Sequence, residues 1–244
     1  MAAFVLDNAK LYVGGYDLSG DSHSINLVTS VEEKDSTTFG SAGYRSRLGG
    51  LRTFTLQGQG FVEYGVGEND AVLFANLGST SSLLTVAADG GAAGEIGYFG
   101  QALHGRYESF DAVGEIMPFT TDFAGSGSLI RGTILEDAGT ARTSTGNGTA
   151  RAIGAASASQ KLYAGLHVLS VSGTTPVLTV KVQSDDASGF ASPTDRVTFS
   201  AASAVGSQWA TPVAGAIADT FYRVSWTISG TNPSFLFAVT VGIA

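Results

Sequence analysis

The sequence predicts an all-β fold with one short helix. Gly makes up 33 of the 244 residues, and only 14% of the residues are charged. In several runs apolar and polar residues alternate, as in residues 53–59, where Phe54 and Leu56 are interleaved with Thr and Gln. A period of two is typical of half-buried strands. Composition and alternation together favour many short strands joined by turns.

The first part of the chain contains the predicted strands of one β domain. We expect a first strand at Lys10–Val13, closed by Gly14 and Gly15, and a pair of strands at residues 24–32 and 53–61. Further strands are expected at residues 83–87, 96–103, 106–110, 113–119 and 128–135. These elements predict a sandwich or barrel domain that occupies residues 1–137.

Residues 71–77 form the one convincing helix. Asp70 favours the positive N-terminal end of the helix dipole, and Gly78 stands where a left-handed residue is needed after the helix. A helix of about two turns is not stable alone in water. We therefore expect it to pack on the sheet through Val72, Leu73 and Leu77.

A change in composition marks the second half of the chain. Residues 138–159 consist almost entirely of Ala, Gly, Thr, Ser and Asn, and we expect them to connect two domains, with room for an edge strand. Alternation resumes afterwards at residues 178–182, 222–228 and 235–243, and turn residues cluster at 172–176, 184–189 and 229–233. Residues 160–244 are accordingly predicted to form a second, smaller β-sandwich.

The segment between the strands at 24–32 and 53–61 is the most unusual feature. It is far longer than a normal hairpin connection, so we expect a long functional loop. Its apolar residues are too numerous for a solvated linker, and its arginines suit docking on carboxylates through forked hydrogen bonds. We interpret it as an arm completed by a neighbouring subunit, and the alternative is a loop folded back on its own core. The arm residues are Phe39, Tyr44, Arg45, Arg47, Leu48, Leu51 and Arg52.

The charge is unevenly distributed. The net charge is -8, and residues 1–137 hold seven basic and seventeen acidic residues, whereas the remainder holds six basic and four acidic ones. Affinity for nucleic acid depends on Lys and Arg at the phosphates. The acidic first part therefore argues against binding DNA, although it is compatible with DNA sliding past.

No motif in the sequence points to catalysis or to a bound cofactor. There are no cysteines, and no nucleophile elbow, Walker-type glycine loop or HExxH helix occurs. The three histidines, His23, His104 and His167, stand singly, and we expect them to be surface or packed residues. We predict no catalytic residue, no metal site and no cofactor.

Two further expectations concern location. No run of about 18 apolar residues occurs, so no membrane span is expected. The first residues lack a basic stretch and reach Asp7 early, which does not suit a secretory signal. We expect the protein to be made and folded in a cytoplasm.

Several motifs of the first domain resemble the tail tube (major tail) proteins of long-tailed bacteriophages. They are STTFG at residues 36–40, YRSRLGGL at 44–51, GEIMPFT at 114–120 and LIRGTIL at 129–135. The lone helix between sheet strands resembles that family too, and the resemblance spans residues 10–137. Residues 166–174, 183–186 and 229–231 resemble an accessory domain that some phage tail proteins carry after the tube domain.

The resemblance implies a tail-tube-type domain and a structural role in a virion tail. Hexameric rings would stack so that their inner sheets join into one barrel, with DNA passing through the bore without specific binding. The implied partners are further copies of the chain, the tape measure protein, the tail terminator and the distal tail protein, with assembly in the host cytoplasm. Candidate lumen-facing residues are Thr53, Thr55, Gln57 and Gln59. Excess carboxylates would keep DNA off the wall by repulsion that salt screens.

A second class of function remains open at this point, namely a carbohydrate-binding or adhesin module of a virion or cell surface. It depends on the C-terminal sandwich and on Trp209 as a stacking platform for a sugar. Trp226 is expected to face the interior, because it alternates with Tyr222 and Val224 on one face.

Overall fold

The fold consists of antiparallel strands and one α-helix over residues 6–244, the part of the chain described by the computed structural model. The predicted all-β fold with a short helix is confirmed. The helix is α1 (Asn69–Ala75). The strands are β1 (Lys10–Val13), β2 (Tyr16–Asp17), β3 (Ser22–Asp35), β4 (Arg47–Phe61), β5 (Ser82–Ala87), β6 (Ile96–Ser109), β7 (Pro118–Gly125), β8 (Ile130–Glu136), β9 (Gly146–Asn147), β10 (Arg151–Ala152), β11 (Lys161–Asp185), β12 (Thr194–Thr198), β13 (Gly206–Trp209), β14 (Val213–Ala214) and β15 (Phe221–Ile243).

The chain divides into two compact units. The hairpin unit comprises Asp21–Ser81 and Gln101–Leu129, and the main unit comprises the described residues 6–20 together with Ser82–Gly100 and Ile130–Ala244. This division differs from the boundary expected at residues 138–159. The reason is non-local pairing: β8 lies before that segment and yet bonds to the last strand, with Glu136 opposite Val239.

The predicted connection is itself part of the main unit. Within it, β9 pairs with β15 at Ser225 and Trp226, and β10 pairs with β15 at Phe221 and Tyr222. Residues 138–159 therefore run along a strand instead of linking separate bodies. Their small side chains permit this close approach, since a methyl group on Gly146 would touch the ring of Trp226.

Two long strands organise the main unit. β11 and β15 pair from Leu162 opposite Ile243 to Asp185 opposite Phe221. The turn residues at 172–176 and 229–233 lie at the same level of this pair and produce register shifts in it, with positive φ at Thr175 and Asn232. Because both strands carry turn residues at the same point, their pairing shifts register there and then continues.

The core of the main unit follows the predicted alternation. Its buried side chains share one face of each strand and include Leu178, Val180, Val182, Tyr222, Val224, Trp226, Phe235, Phe237, Val239 and Val241. Trp226 faces inward as expected, edge-on to Phe237, and its indole N–H donates to the carbonyl of Ser144 at 2.9 Å.

The hairpin unit contains β3, β4, β7 and the part of β6 from Gln101 onward, in the order β3–β4–β7–β6. Phe54 and Leu56 of β4 are buried, whereas Thr53 and Thr55 are exposed, which matches the predicted faces. The two strands predicted at 96–103 and 106–110 are one strand, β6, with a register shift between His104 and Arg106.

The helix covers only part of this sheet. Leu73 is buried as expected, but Leu77 is 45% exposed. Gly78 has a φ of 86°, the left-handed conformation expected after the helix. Asn69 is fully buried, and its amide joins the preceding loop by accepting from the backbone N–H of Glu63 and donating to the carbonyl of Phe61. In the described part of the chain, no helix is long and apolar enough to cross a membrane.

Candidate assembly surface

The predicted arm is a long β-hairpin. β3 and β4 pair from Ser22 opposite Gly60 to Asp35 opposite Arg47. The expected loop over residues 32–52 is therefore wrong in extent, because only residues 36–46 lie outside the strands. The flanking residues were hard to recognise as strand, since both of their faces are exposed and no apolar alternation marks them.

The outer part of the hairpin has no third strand beside it. β7 pairs with β4 only from Thr55 to Phe61, and no residue from 28 to 53 is buried. A two-stranded hairpin without a packed face is marginally stable in water. Its backbone edges and side chains are available to another molecule.

The end of this hairpin carries large apolar side chains in solvent. We call residues 36–52 the tip. Phe39 is fully exposed at 112%, Tyr44 is 80% exposed and Leu51 is 79% exposed, and Leu48 is exposed as well. Exposed apolar side chains grouped in this way are typical of surfaces that bind another protein. The alternative of a loop folded on its own core is therefore not what the structure shows.

The charges of the hairpin are partly neutralised within it. Lys34 pairs with Glu32 and Arg47 pairs with Glu33. Such exposed ion pairs contribute about 0–1 kcal/mol to stability. Arg45 and Arg52 have no charged partner among the described residues. These two guanidinium groups remain available for carboxylates of a partner.

The candidate lumen residues lie on one polar face of the hairpin unit. Gln57 and Gln59 are half-buried, and Thr53 and Thr55 are exposed. The amide of Gln57 donates to Asp122 at 2.8 Å. A surface concavity of about 510 Å³ lies over this face, lined by Asn26, Thr55, Leu56, Gln57, Gly105, Arg106, Asp122, Phe123 and Ala124.

The charges on this face are nearly balanced. Arg106 pairs with Asp122 at 3.2 Å and also with Glu108. One cation between two carboxylates leaves a slightly acidic surface. This arrangement offers no unpaired arginine among the residues lining the concavity, so the face has little to hold a phosphate.

Two of the histidines are packed residues, as expected. His167 is fully buried between the hydroxyl of Thr85, at 2.8 Å, and the carbonyl of Gly14, at 2.6 Å. Burial lowers its pKa to about 4. His104 is also fully buried, stacks on Phe123 and bonds to Thr121 at 2.7 Å, and burial lowers its pKa. Among the described residues no cluster of His, Asp and Glu suits a metal ion.

Trp209 is held among aromatic side chains. Its ring lies 5.4 Å from that of Phe99 and 6.0 Å from that of Tyr163. A concavity of about 290 Å³ beside it includes Arg196 and Gln208. Both side chains are already bonded, Arg196 to Asp219 and Gln208 to the backbone of residue 200. The side chains of Arg196 and Gln208 are thus engaged within the chain.

The sequence did not reveal a second exposed apolar surface in the hairpin unit. We call residues 61–70 and 110–117 the base surface. Val66 and Val113 are fully exposed, and Tyr64, Phe110 and Ile116 are exposed too. The only sequence signal was the presence of large apolar residues in segments otherwise rich in Gly and carboxylates.

Comparisons with known proteins give distant similarities. No protein-family model matches the sequence, and no curated protein matches it. Among solved structures, a chain of the virion of a native gene transfer agent particle is similar with a TM-score of 0.40 and 15% identity, over 50% of this chain and 94% of that chain. A chain in the tail of an empty gene transfer agent particle, refined with C6 symmetry, has a TM-score of 0.39 and 15% identity, over 49% of this chain and 92% of that chain.

A third similar structure is the Dit protein of phage SPP1, described as a hub of the adsorption apparatus. It has a TM-score of 0.38 and 11% identity, over 98% of this chain and 100% of that chain. The similar structures are thus components of a virion, a tail and an adsorption hub. With TM-scores of 0.40 and below, these likenesses define no family for this chain.

Proposed function

We propose that this protein is a structural subunit of a phage-type virion tail and that it catalyses no reaction. Copies of the chain form hexameric rings, and the rings stack into a tube through which DNA passes. The motifs at residues 36–40, 44–51, 114–120 and 129–135 support this role through their resemblance to tail tube proteins.

The observation that carries the proposal is the unburied hairpin. A chain that functioned alone would gain nothing by holding Phe39, Tyr44 and Leu51 in water. Each large apolar side chain contributes about 1.5–3 kcal/mol when it is buried. Association with neighbouring copies supplies that burial and gives the exposed strands a partner.

The polar face of the hairpin unit suits the wall of a bore. Thr53, Thr55, Gln57 and Gln59 present hydroxyl and amide groups, and Arg106 is already paired with carboxylates. Such a wall does not gain the counterion-release free energy that holds proteins on DNA. We propose this face as the lumen.

The remaining partners follow from the same proposal. A tail tube ends on other tail proteins, so the tape measure protein, the tail terminator and the distal tail protein are the expected neighbours. The protein would be assembled in the host cytoplasm and located in the tail of the virion.

Electron microscopy of the purified protein tests the role. We expect hollow tubes from the natural chain. In a shortened variant, residues 31–52 are replaced by Asn-Gly, which closes the hairpin between the paired residues Ser30 and Thr53 with a favoured two-residue turn. This variant is expected to fold, as judged by circular dichroism, and to form no tubes. Normal tubes from it would refute the role of the tip.

The same preparation distinguishes the structural tail role from the carbohydrate-binding alternative. That alternative predicts discrete particles and specific retention on a glycan array, and the retention should be lost in Trp209→Ala. Tubes without glycan retention favour the structural role. Arg196 and Gln208, which lie beside Trp209, already bond within the chain and are not free to bind a sugar.

A further inference from the structure

The base surface lies at the opposite end of the hairpin unit's central strand from the tip. β4 begins at Arg47 within the tip and ends at Phe61, which is opposite Pro118 of β7. Pairing of β4 with β7 therefore brings together the two segments of the base surface. They are joined by a bond from the backbone N–H of Val62 to the carbonyl of Met117 at 2.9 Å.

A side-chain contact holds the two segments in place as well. The hydroxyl of Tyr64 lies 3.0 Å from the sulfur of Met117. Around this contact stand apolar side chains that are at least 45% exposed, namely Phe61, Tyr64, Val66, Phe110, Val113 and Ile116. Large apolar side chains that remain in solvent beside these contacts indicate a surface for a protein partner.

The two apolar surfaces carry opposite charge. The base surface contains carboxylates and no Lys or Arg, its acidic residues being Glu63, Glu68, Asp70, Asp111 and Glu115. The tip contains three arginines and no carboxylate. Arg45 and Arg52 have no charged partner among the described residues, and forked hydrogen bonds from arginine to carboxylate are geometrically specific. The chemistry of each surface therefore fits the other.

One molecule cannot bring its own tip to its own base surface. From Arg52, the last residue of the tip, to Phe61, the first residue of the base surface, β4 spans about 30 Å at ~3.3 Å per residue. β3 pairs along nearly the whole of this length, which keeps the hairpin extended. The tip must therefore reach the base surface of a different copy.

We propose that the tip of one copy docks on the base surface of a second copy, with Arg45 and Arg52 facing Asp111 and Glu115. This inference rests on the proposed function and names the surface that receives the arm. The two aromatic rings of the tip alone can bury about 300–500 Å², a large part of the ~800 Å² that each partner contributes to a stable interface. Because the two surfaces differ, the contact is heterologous and propagates from copy to copy.

Charge reversal on each side tests the pairing. Arg45→Glu with Arg52→Glu is expected to weaken self-association at least tenfold by sedimentation velocity, and Asp111→Lys with Glu115→Lys is expected to do the same. Combining all four changes in one chain should restore association to within about threefold of the natural chain, since opposite charges face each other again. Matched controls are Arg131→Glu and Asp89→Lys, which alter exposed charges of the main unit, and they should leave association unchanged.

A mixing experiment tests the head-to-tail geometry. The shortened-hairpin variant keeps a base surface without a tip, and Asp111→Lys with Glu115→Lys keeps a tip without a functional base surface. Each is expected to be monomeric alone, and the mixture is expected to form 1:1 dimers. Self-dimers of the base variant would show tip-to-tip contact and overturn the inference.

The outcomes separate this inference from the proposed function. If the natural chain assembles and the base reversals do not weaken assembly, the docking surface is wrong while the structural role stands. If the natural chain stays monomeric at high concentration, both are wrong. Circular dichroism and thermal unfolding of every variant confirm that a loss of association is not a loss of folding.

Discussion

A pair of phenylalanines in the hairpin unit distinguishes an assembly surface from a core. Phe39 at the tip is 112% exposed, whereas Phe54 in β4 is 2% exposed. Phe39→Ser should therefore leave the stability of the single chain within about 0.5 kcal/mol, as for most surface substitutions. Phe54→Ala should destabilise it by about 3–5 kcal/mol, because it removes buried contacts and leaves a cavity.

Self-association, unlike the stability of the single chain, should be weakened by the loss of Phe39. If Phe39 is buried against another copy, its loss removes about 1.5–3 kcal/mol, which corresponds to roughly 10–150-fold weaker association. Phe54→Ala should affect assembly only through the fraction of chain that unfolds. The comparison thus uses one residue type in two environments of the same unit.

The assay combines two measurements on each variant. Thermal unfolding below the assembly concentration should show no shift for Phe39→Ser, and a decrease of roughly 6–20 °C for Phe54→Ala at 2–4 °C per kcal/mol for a chain of this size. Sedimentation velocity at higher concentration should show the weakened association of Phe39→Ser. A large decrease in melting temperature for Phe39→Ser would refute the reasoning, because it would mean that the tip packs on its own chain.

Three further predictions concern the pH dependence of stability, the close packing around Gly60 and the wall of the bore. The free energy of unfolding should fall by about 3 kcal/mol between pH 6.5 and 4. The reason is that His167 takes up a proton near its ordinary pKa in the unfolded chain, whereas burial holds its pKa in the folded chain at about 4. Denaturant unfolding of His167→Gln should lack that part of the pH dependence. Gly60→Ala should destabilise the chain by about 1–3 kcal/mol or more, because a methyl group there meets the carbonyl of Asp21 and the ring of Phe119, while Gly20→Ala, with open space around it, should not. Thr53→Lys with Thr55→Lys should make the assembled protein bind DNA in fluorescence anisotropy, with log affinity falling by about 0.9 per phosphate contact for each unit of log salt; salt-independent binding, or binding by the natural protein, would contradict the proposed wall.

Local sequence patterns were sufficient to predict the strands that have one buried and one exposed face. Alternation placed Phe54 and Leu56 inside and Thr53 and Thr55 outside. It also placed Trp226 in the core of the main unit. These predictions succeed because successive side chains of a strand point to opposite faces, so burial on one face leaves a direct record in the sequence.

The same reasoning could not recover the length of the hairpin. Residues 47–52 are strand although both faces are exposed, and a strand without a buried face leaves no alternation to detect. The apolar and arginine residues of the arm were nevertheless identified, because Phe39, Tyr44 and Leu48 contrast with their polar neighbours. Composition thus identified the residues of the arm, and only the structure showed that they lie on a long β-hairpin.

The sequence by itself determined the all-β class, the single helix, the faces of the half-buried strands and the residues of the exposed arm. Each of these depends on side chains a few positions apart. Only the tertiary structure decided that β8 pairs with β15 across the expected domain boundary, and that residues 61–70 and 110–117 meet at one end of β4. Such contacts join residues far apart in the chain, and their partners are selected by the packing of the whole sheet, which no local pattern contains.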